Sequence, residues 1–375
     1  MLLLSRLDLT DFRSWARLRF APQSPLAVVI GANGAGKTNI LEAVSLLVPG
    51  RGLRSARLHA MAKRDGSGGF AVAARFSDDQ THGEFTLGTA VAPESASKSS
   101  YKRQFLVNGA APQNQGEIAS MLSAVWVTPQ MDQVFEVSAS GRRRFLDRLV
   151  VALEPGHGRE ASAYENAMAR RNKLLTGKGA DALWLSSLEE SMARHSVALA
   201  AARRAFCEHA NATAAADGFP PVRIELADAV ADRLAQAPAL AVENWLRAEL
   251  TARRPRDAAA GGATLGVHRA DMMLVDATSG EPASTASTGQ RRAMLLGVIL
   301  AHAALIEKAR GTPPLLLLDE PLVHLDESRR EALFAALAGA NAQVLLTGTD
   351  ADAFAPLRGK ASFWEAAPGT LTPSN

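Results

Sequence analysis

Cysteine is almost missing from this sequence: among 375 residues Cys207 stands alone. A lone cysteine can neither close an intrachain disulfide nor build a cysteine-based zinc cluster, which excludes a secreted disulfide scaffold and points to a reducing compartment. Aromatic residues amount to 5%, so stacking on splayed bases is a weak option for nucleic-acid contact and phosphate contact the stronger one. Long apolar runs are also missing. The opening stretch Met1 to Leu9 is interrupted by Arg6 and Asp8, and the longest later run, Ala293 to Ile306, contains His302 and falls short of a bilayer's span. Neither a signal peptide nor a membrane partner is expected, and a cytoplasmic location follows. Charge of one sign has little excess: 41 Lys and Arg against 38 Asp and Glu leave +3, which permits a nucleic-acid partner without demanding one. What is plentiful is a globular mixture, 47% hydrophobic and 21% charged, in a chain too long for one growing core, so two lobes are expected.

Three textures follow one another. Short strand-like runs separated by turns occupy Leu2 to about Val127: Leu7 to Phe12, Leu18 to Phe20, Leu26 to Ile30, Phe70 to Phe76, Phe85 to Val91 and Phe105 to Val107. From about Arg142 to Asp217 alanine, arginine, glutamate and leucine dominate, and Gly177 and Gly179 divide helical stretches at Tyr164 to Leu175 and Ala182 to Ala216. After Pro220 and Pro221 a strand pattern returns at Val222 to Leu226, then a helix near Val242 to Arg253, a Gly/Ala-rich joint at Ala258 to Ala263 that reads as a surface loop, and an α/β pattern to the end. The expected division is one lobe of 1–125 and 220–375 with an inserted helical lobe at 126–219.

Gly31-Ala32-Asn33-Gly34-Ala35-Gly36-Lys37-Thr38 fits the phosphate-loop pattern G-x-x-x-x-G-K-S/T, between an apolar run suited to a buried strand and apolar residues at helical spacing. Strand, glycine loop and helix let backbone N–H groups converge on phosphates at a helix N-terminus. Lys37 can then reach the β- and γ-phosphates of ATP, and the Thr38 hydroxyl can ligate Mg²⁺. Far along the chain, Leu315 to Leu318 form an apolar strand ending in Asp319 and Glu320. A buried parallel strand delivers its last side chains to the sheet edge where ligands lie, so Asp319 is the candidate for the Mg²⁺ shell and Glu320 for the general base.

Ser287-Thr288-Gly289-Gln290-Arg291-Arg292 opens a long helical pattern, with Ser287 placed as an N-cap and the N–H groups behind it forming a second anion site. One chain cannot easily bring that second site onto phosphates its own loop cradles; a second copy can. The stretch resembles the S-x-G-Q signature of ATP-binding-cassette ATPases, in which two chains sandwich two ATP molecules. That resemblance implies nucleotide contact from Ser287, Gly289 and Gln290, a dimer-face aspartate at Asp326 and a Mg²⁺- and γ-phosphate-sensing glutamine at Gln130. Where many such proteins carry a histidine after the last strand, this sequence has Thr347-Gly348, so slow hydrolysis is expected.

Together the residues resemble the bacterial RecF family, cassette-type ATPases related to the heads of SMC and Rad50-like proteins. The likeness runs from Leu7 to about Leu371. It rests on Leu9 to Trp15, on Gly31 to Ala43, on Gly50 to Arg54, on Gly141 to Asp147, on Arg170 to Leu175, on Gly266 to Asp271 and on the stretch at Ser287. Val267 and Ala270 depart from that family's G-P-H-R-D-D stretch, and Gln130 stands where its members often have glutamate. The separation of Lys37 from Asp319 is too great for a compact transporter cassette. The longest helical stretch would span only about 50 Å, so a head with a short arm is expected.

The resemblance implies an α/β P-loop NTPase of cassette type, an ATP-dependent homodimer, and a weak DNA-stimulated ATPase. It also implies DNA binding to single strands, duplex or gap junctions, and work with RecO- and RecR-type mediators in loading RecA and inducing the SOS response. An ATPase subunit of a membrane transporter and a metabolic P-loop kinase are the alternative readings of the same loop. For DNA, the first basic cluster is Arg51, Arg54, Arg57, Lys63 and Arg64; Arg142, Arg143 and Arg144 form a second. Lys98, Lys102 and Arg103 belong to a serine-rich stretch expected to be a mobile hairpin, and His268 and Arg269 are read either as approaching the nucleotide or partner chain or as a structural turn.

Overall fold

The structure is a computed structural model, and it describes residues 1–78, 83–93, 103–136, 138–177 and 181–374. In chain order the elements are β1 (Leu2–Phe12), β2 (Trp15–Phe20), β3 (Leu26–Ile30), α1 (Lys37–Ser45), β4 (Phe70–Asp78), β5 (Gly83–Val91), β6 (Gln104–Val107), α2 (Gln115–Met121) and β7 (Ala124–Val127). A helical run follows: α3 (Ala139–Leu153), α4 (His157–Thr176) and α5 (Ala182–Ala212). Next come β8 (Val222–Ala227), α6 (Ala229–Leu234), α7 (Ala239–Ala252), α8 (Arg254–Ala259) and β9 (Asp271–Asp276). The chain closes with α9 (Thr288–Arg310), β10 (Leu315–Leu318), α10 (Glu327–Gly339), β11 (Val344–Gly348), β12 (Ser362–Ala367) and β13 (Thr370–Ser374).

Two compact units emerge. The first comprises 1–132, 215–219 and 288–375. Its six-stranded sheet has the order β13-β12-β3-β11-β10-β7, with every pair parallel except β12 and β13. The inner strands are buried almost throughout, which is why they read as continuous apolar runs and not as alternations. Because β3, β7, β10 and β11 run the same way, the segments after Ile30, Val127, Leu318 and Gly348 all emerge at one sheet edge, where ligands of open α/β sheets lie. A second sheet of this unit is antiparallel, β2-β1-β4-β5-β6. Gln343 ties the two sheets together: its Oε1 accepts from Leu4 N at 2.5 Å and its Nε2 donates to Leu4 O at 3.2 Å, a buried backbone pair satisfied in full.

The second unit comprises 133–214 and 220–287. Its axis is α5, whose 31 residues span about 46 Å. Asp181 starts that helix by accepting from Leu183 N at 2.8 Å and Trp184 N at 3.3 Å. The core is a seam of Leu188, Met192, Val197 and Ala200 from α5 against Leu246, Leu250 and Val230. Inside it Arg171 is fully buried: it donates to Glu189 at 3.0 Å, to Asp257 at 2.8 Å and to Leu250 O at 2.7 Å, so α4, α5, α7 and α8 meet at one guanidinium.

The division differs from the expected one at three places, the shortest being residues 215–219, which belong to the first unit. Residues 126–132 stay with the first unit, because β7 pairs in parallel with β10. Residues 220–287 stay with the helices, because β8 pairs antiparallel with β9 in a two-stranded sheet of their own. The helix expected over Ala182 to Ala216 ends at Ala212. The Gly/Ala-rich joint at Ala258 to Ala263 is more than a surface loop. Ala263 N donates to Asn172 Oδ1 at 3.0 Å, and Gly262 packs so closely that a Cβ there would lie 3.2 Å from the same side chain. Among the described residues no helix is long and apolar enough to cross a membrane.

Candidate functional site

The glycine loop joins β3 to α1 at the carboxyl edge of the six-stranded sheet. Gly36 has φ +97°, and a Cβ there would lie 2.6 Å from Ser14 Oγ and 3.0 Å from the Trp15 ring. Only glycine suits both the backbone and the space. Trp15 is wholly buried and donates through Nε1 to Gly36 O at 3.3 Å, and Asn39 Nδ2 donates to Ser14 Oγ at 2.9 Å. The turn between β1 and β2 is therefore the floor of the loop. Lys37 Nζ donates to Gly31 O at 2.7 Å and Ala32 O at 3.1 Å, and lies 3.8 Å from Glu320 Oε1. Burial lowers the lysine's pKa, while Glu320 and Asp319 work the other way. An ammonium resting on carbonyls of its own loop can exchange them for phosphate oxygens without leaving a buried charge unpaired.

β10 brings Asp319 to the same edge. Its Oδ1 accepts from Thr38 Oγ1 and from Thr347 Oγ1, each at 2.8 Å, and Thr347 Oγ1 in turn accepts from Glu320 N at 3.0 Å. Glu320 sits at φ +45°, a conformation that side chains rarely adopt and that aims its carboxylate back at Lys37. A hydroxyl and a carboxylate in contact at the foot of a phosphate loop are the hard oxygen donors that Mg²⁺ takes, so these residues fit that ion. Arg292, fully buried, donates to the carbonyls of Thr128 at 3.0 Å, Asp319 at 3.3 Å and Glu320 at 3.0 Å, and to Asp132 Oδ1 at 3.1 Å. One side chain of α9 thus fixes the ends of β7 and β10. Burial raises the Asp132 pKa, against the opposing pull of Arg292, His324 and Arg291.

Lys37, Thr38, Asp319 and Glu320 are therefore together. Ala32, Asn33 and Gly34 are exposed on the loop, and Gln130 is exposed in the 3-10 helix Pro129–Phe135 after β7. Ser287 immediately precedes α9. A Cβ at Gly289 would lie 2.9 Å from the carbonyl of His324, so the start of α9 rests on the turn leading to Asp326 of its own chain. Asp326 caps α10, accepting from Arg329 N at 2.9 Å, with its carboxylate still half exposed. Sequence reasoning named Thr347 only as standing where other proteins carry a histidine, and it gave Arg292 and Ser14 no role of their own within the stretches that contain them. Trp15 was visible only as part of a family-specific stretch with no role attached.

The basic clusters separate. Arg51, Arg57 and Arg64 are exposed and Lys63 is half-buried. Arg54 turns toward α1, donating to Asn39 Oδ1 at 3.1 Å and lying 3.6 Å from Glu42, a fully buried carboxylate that Arg13 grips with two bonds of 2.6 and 2.8 Å. In the second cluster, Arg142 forms a two-pronged pair with Asp271 at 2.6 and 2.7 Å, and Arg143 donates to Ala270 O at 2.6 Å, leaving Arg144 exposed. His268 takes up the structural-turn reading within its own unit. It shares a 2.6 Å hydrogen bond with Tyr164 Oη, and its Nε2 donates to Ala263 O at 2.8 Å. Arg269 is exposed. Lys98 and Lys102 lie outside the described residues; Arg103 is inside them.

A family model for the RecF/RecN/SMC N-terminal domain matches residues 3–359. A protein of Mesorhizobium japonicum described as DNA replication and repair protein RecF is 42% identical over 99% of this chain and 98% of its own. One of Rhizobium etli, described likewise, is 40% identical over 98% of each. Among solved structures, the recombination mediator protein RecF-ATPrS of the RecFOR pathway covers 100% of this chain and 98% of its own with TM-score 0.85 at 21% identity. The Smc head domain of Pyrococcus furiosus covers 100% of this chain and 96% of its own with TM-score 0.53 at 16% identity.

Proposed function

This chain belongs to the family of RecF DNA replication and repair proteins, and from that premise we propose that it is an ATP-gated DNA-binding protein of recombinational repair. The carrying observation is the junction of Lys37, Thr38, Asp319 and Glu320 at one sheet edge, with hydroxyl and carboxylate 2.8 Å apart and ammonium and carboxylate 3.8 Å apart. On nucleotide binding Lys37 leaves Gly31 O and Ala32 O for the β- and γ-phosphates, while loop N–H groups and the N-terminus of α1 hold the remaining oxygens. Thr38 and Asp319 would hold Mg²⁺, which would supply charge neutralisation to the phosphates. Glu320 takes a proton from the attacking water, and Gln130 senses the filled site.

Thr347 stands where a histidine would contact the γ-phosphate. Its hydroxyl is committed to Asp319 and Glu320, which favours a slow, DNA-stimulated hydrolysis that serves release and not product formation. Ser287, Gly289, Gln290 and Asp326 then meet the nucleotide held by a second copy, so that ATP closes a homodimer on DNA. Arg51, Arg54, Arg57, Lys63 and Arg64 supply phosphate contacts to single strands, duplex or gap junctions, in the cytoplasm, with RecO- and RecR-type mediators and RecA downstream.

The test is molecular mass in solution with and without ATP and DNA, for wild type and Ser287→Arg. Wild type is expected to double its mass with ATP and DNA. The variant is expected to bind ATP about as tightly as wild type yet remain monomeric, because the signature acts on the other chain's nucleotide. A variant that loses nucleotide affinity as a monomer shows that the signature acts within its own chain, which refutes the sandwich.

A further inference from the structure

The basic stretch before β6 contributes one described cation, and that cation is turned inward. Arg103 donates through Nη1 to Gly50 O at 2.8 Å and through Nη2 to Val48 O at 3.5 Å, and its guanidinium lies 4.3 Å from the centre of the Phe105 ring. Burial pushes its pKa down to about 10. The two carbonyls belong to the chain just beyond α1, where Gly50 and Gly52 adopt φ +121° and +70°. Further on, Leu53 N donates to Ser45 Oγ at 2.7 Å, and Arg54 reaches Asn39 and Glu42 on α1. The segment 48–54 is thus fastened at three points, and Arg51 is presented exposed between the first and the second.

We propose that Arg103 is a positioning residue for the DNA-phosphate-binding segment 48–54, holding Arg51 in place through the Gly50 and Val48 carbonyls; this rests on the DNA-binding reading above. A Gly-Arg-Gly segment has many conformations open to it, and ordering it on contact with a phosphate lowers affinity. Arg103 transfers that ordering cost to folding. Arginine suits the task because its planar fork reaches two carbonyls while its face lies on an aromatic ring; an ammonium can do one or the other.

The experiment compares the full chain with Arg103→Met, Arg103→Lys, Arg51→Ala and the Arg51→Ala/Arg103→Met double variant. The first readout needs no DNA: amide exchange at Gly52 and Leu53 is expected to speed up about tenfold in Arg103→Met, with ATP affinity unchanged. The second is DNA affinity across several salt concentrations. Both Arg103 variants are expected to weaken binding about fivefold or more, and the double variant to lose less than the sum of the single losses.

Unchanged exchange at Gly52 and Leu53 overturns the inference. Full recovery of DNA affinity by Arg103→Lys overturns it too, since that is the behaviour of a direct phosphate contact, and so do additive losses. Wild type that binds no DNA at any salt, with exchange accelerated in the variant as expected, refutes the DNA-binding reading and leaves Arg103 as a fastener of a segment with another use.

Discussion

The phosphate loop of the first unit and the helices of the second both bury charge, and they use it differently. In the first, the buried cation Lys37 rests on carbonyls of its own loop and has its nearest carboxylate 3.8 Å away. In the second, Arg171 bonds two buried carboxylates and a carbonyl at once, and Arg203 grips Asp147 with two bonds of 2.8 and 2.9 Å while donating to Val267 O. The first arrangement leaves a charge able to change partners, as a phosphate site requires. The second leaves none, because each buried cation there is tied to carboxylate oxygens and a carbonyl at once. The family-specific stretches divide along this line. The one at Gly31, with the strand end at Asp319, is built for exchange, whereas Arg171, Arg142 with Asp271, and His268 with Tyr164 are built to stay.

The comparison is sharpest at Glu320. Glu320→Gln keeps the hydrogen bond from its backbone N–H to Thr347 and removes the capacity to take a proton, together with the negative charge 3.8 Å from Lys37. Hydrolysis is expected to fall about 100- to 10,000-fold, with ATP-dependent dimerisation retained or prolonged and the melting temperature unchanged. Steady-state phosphate release alongside light scattering measures both. A variant that hydrolyses normally means that another group is the base.

The converse holds at Arg171. Arg171→Leu leaves Glu189 and Asp257 buried without their shared partner, although Arg254 and Thr251 still serve Glu189 and Thr264 serves Asp257. Breaking a buried pair from one side costs about 3–5 kcal/mol. Denaturant unfolding followed at the second unit is expected to show that loss, while ATP affinity measured under native conditions stays within about twofold, since sites that share no partners act independently. A loss of nucleotide affinity comparable to the loss of stability would break the distinction between the units.

The phosphate loop and the acidic strand end were legible because each is written in a short stretch whose spacing fixes its geometry. What lay between them was not. Thr38 and Asp319 are 281 residues apart, and nothing local distinguishes Thr347 as the group that joins the two acids. Helical periodicity placed α9, yet it could not say that Arg292 turns inward to four acceptors. The clusters at Arg54 and Arg142 looked alike as runs of charge. Their meanings came from Glu42 on α1 and from Asp271, 129 residues beyond Arg142. The same limit explains the misplaced boundary at 219: an apolar run such as Val222 to Leu226 predicts a strand but not its partner, and the partner, β9, keeps it with the helices.

The smallest effect is expected where a fixed network meets a titratable ring. His268 accepts the Tyr164 proton at Nδ1 and gives its own from Nε2 to Ala263 O, an arrangement that needs the neutral ring. Burial holds its pKa below the ordinary 6.5, with Arg143 and Arg269 adding to the depression and the Ala263 carbonyl and Asp257 opposing it. The unfolded chain therefore takes up a proton below pH 6.5 that the folded chain refuses. The stability from this site is complete above that pH and is lost progressively as pH falls toward the depressed folded value. His268→Gln supplies an acceptor and a donor that do not titrate. Unfolding free energies at pH 5.5, 6.5 and 7.5, values chosen at about one-unit steps around the ordinary histidine pKa, should show a shallower decline on the acid side for the variant than for wild type. Equal slopes would mean that His268 takes up its proton as readily in the folded chain as in the unfolded one, and that the second unit contains an exchangeable proton after all.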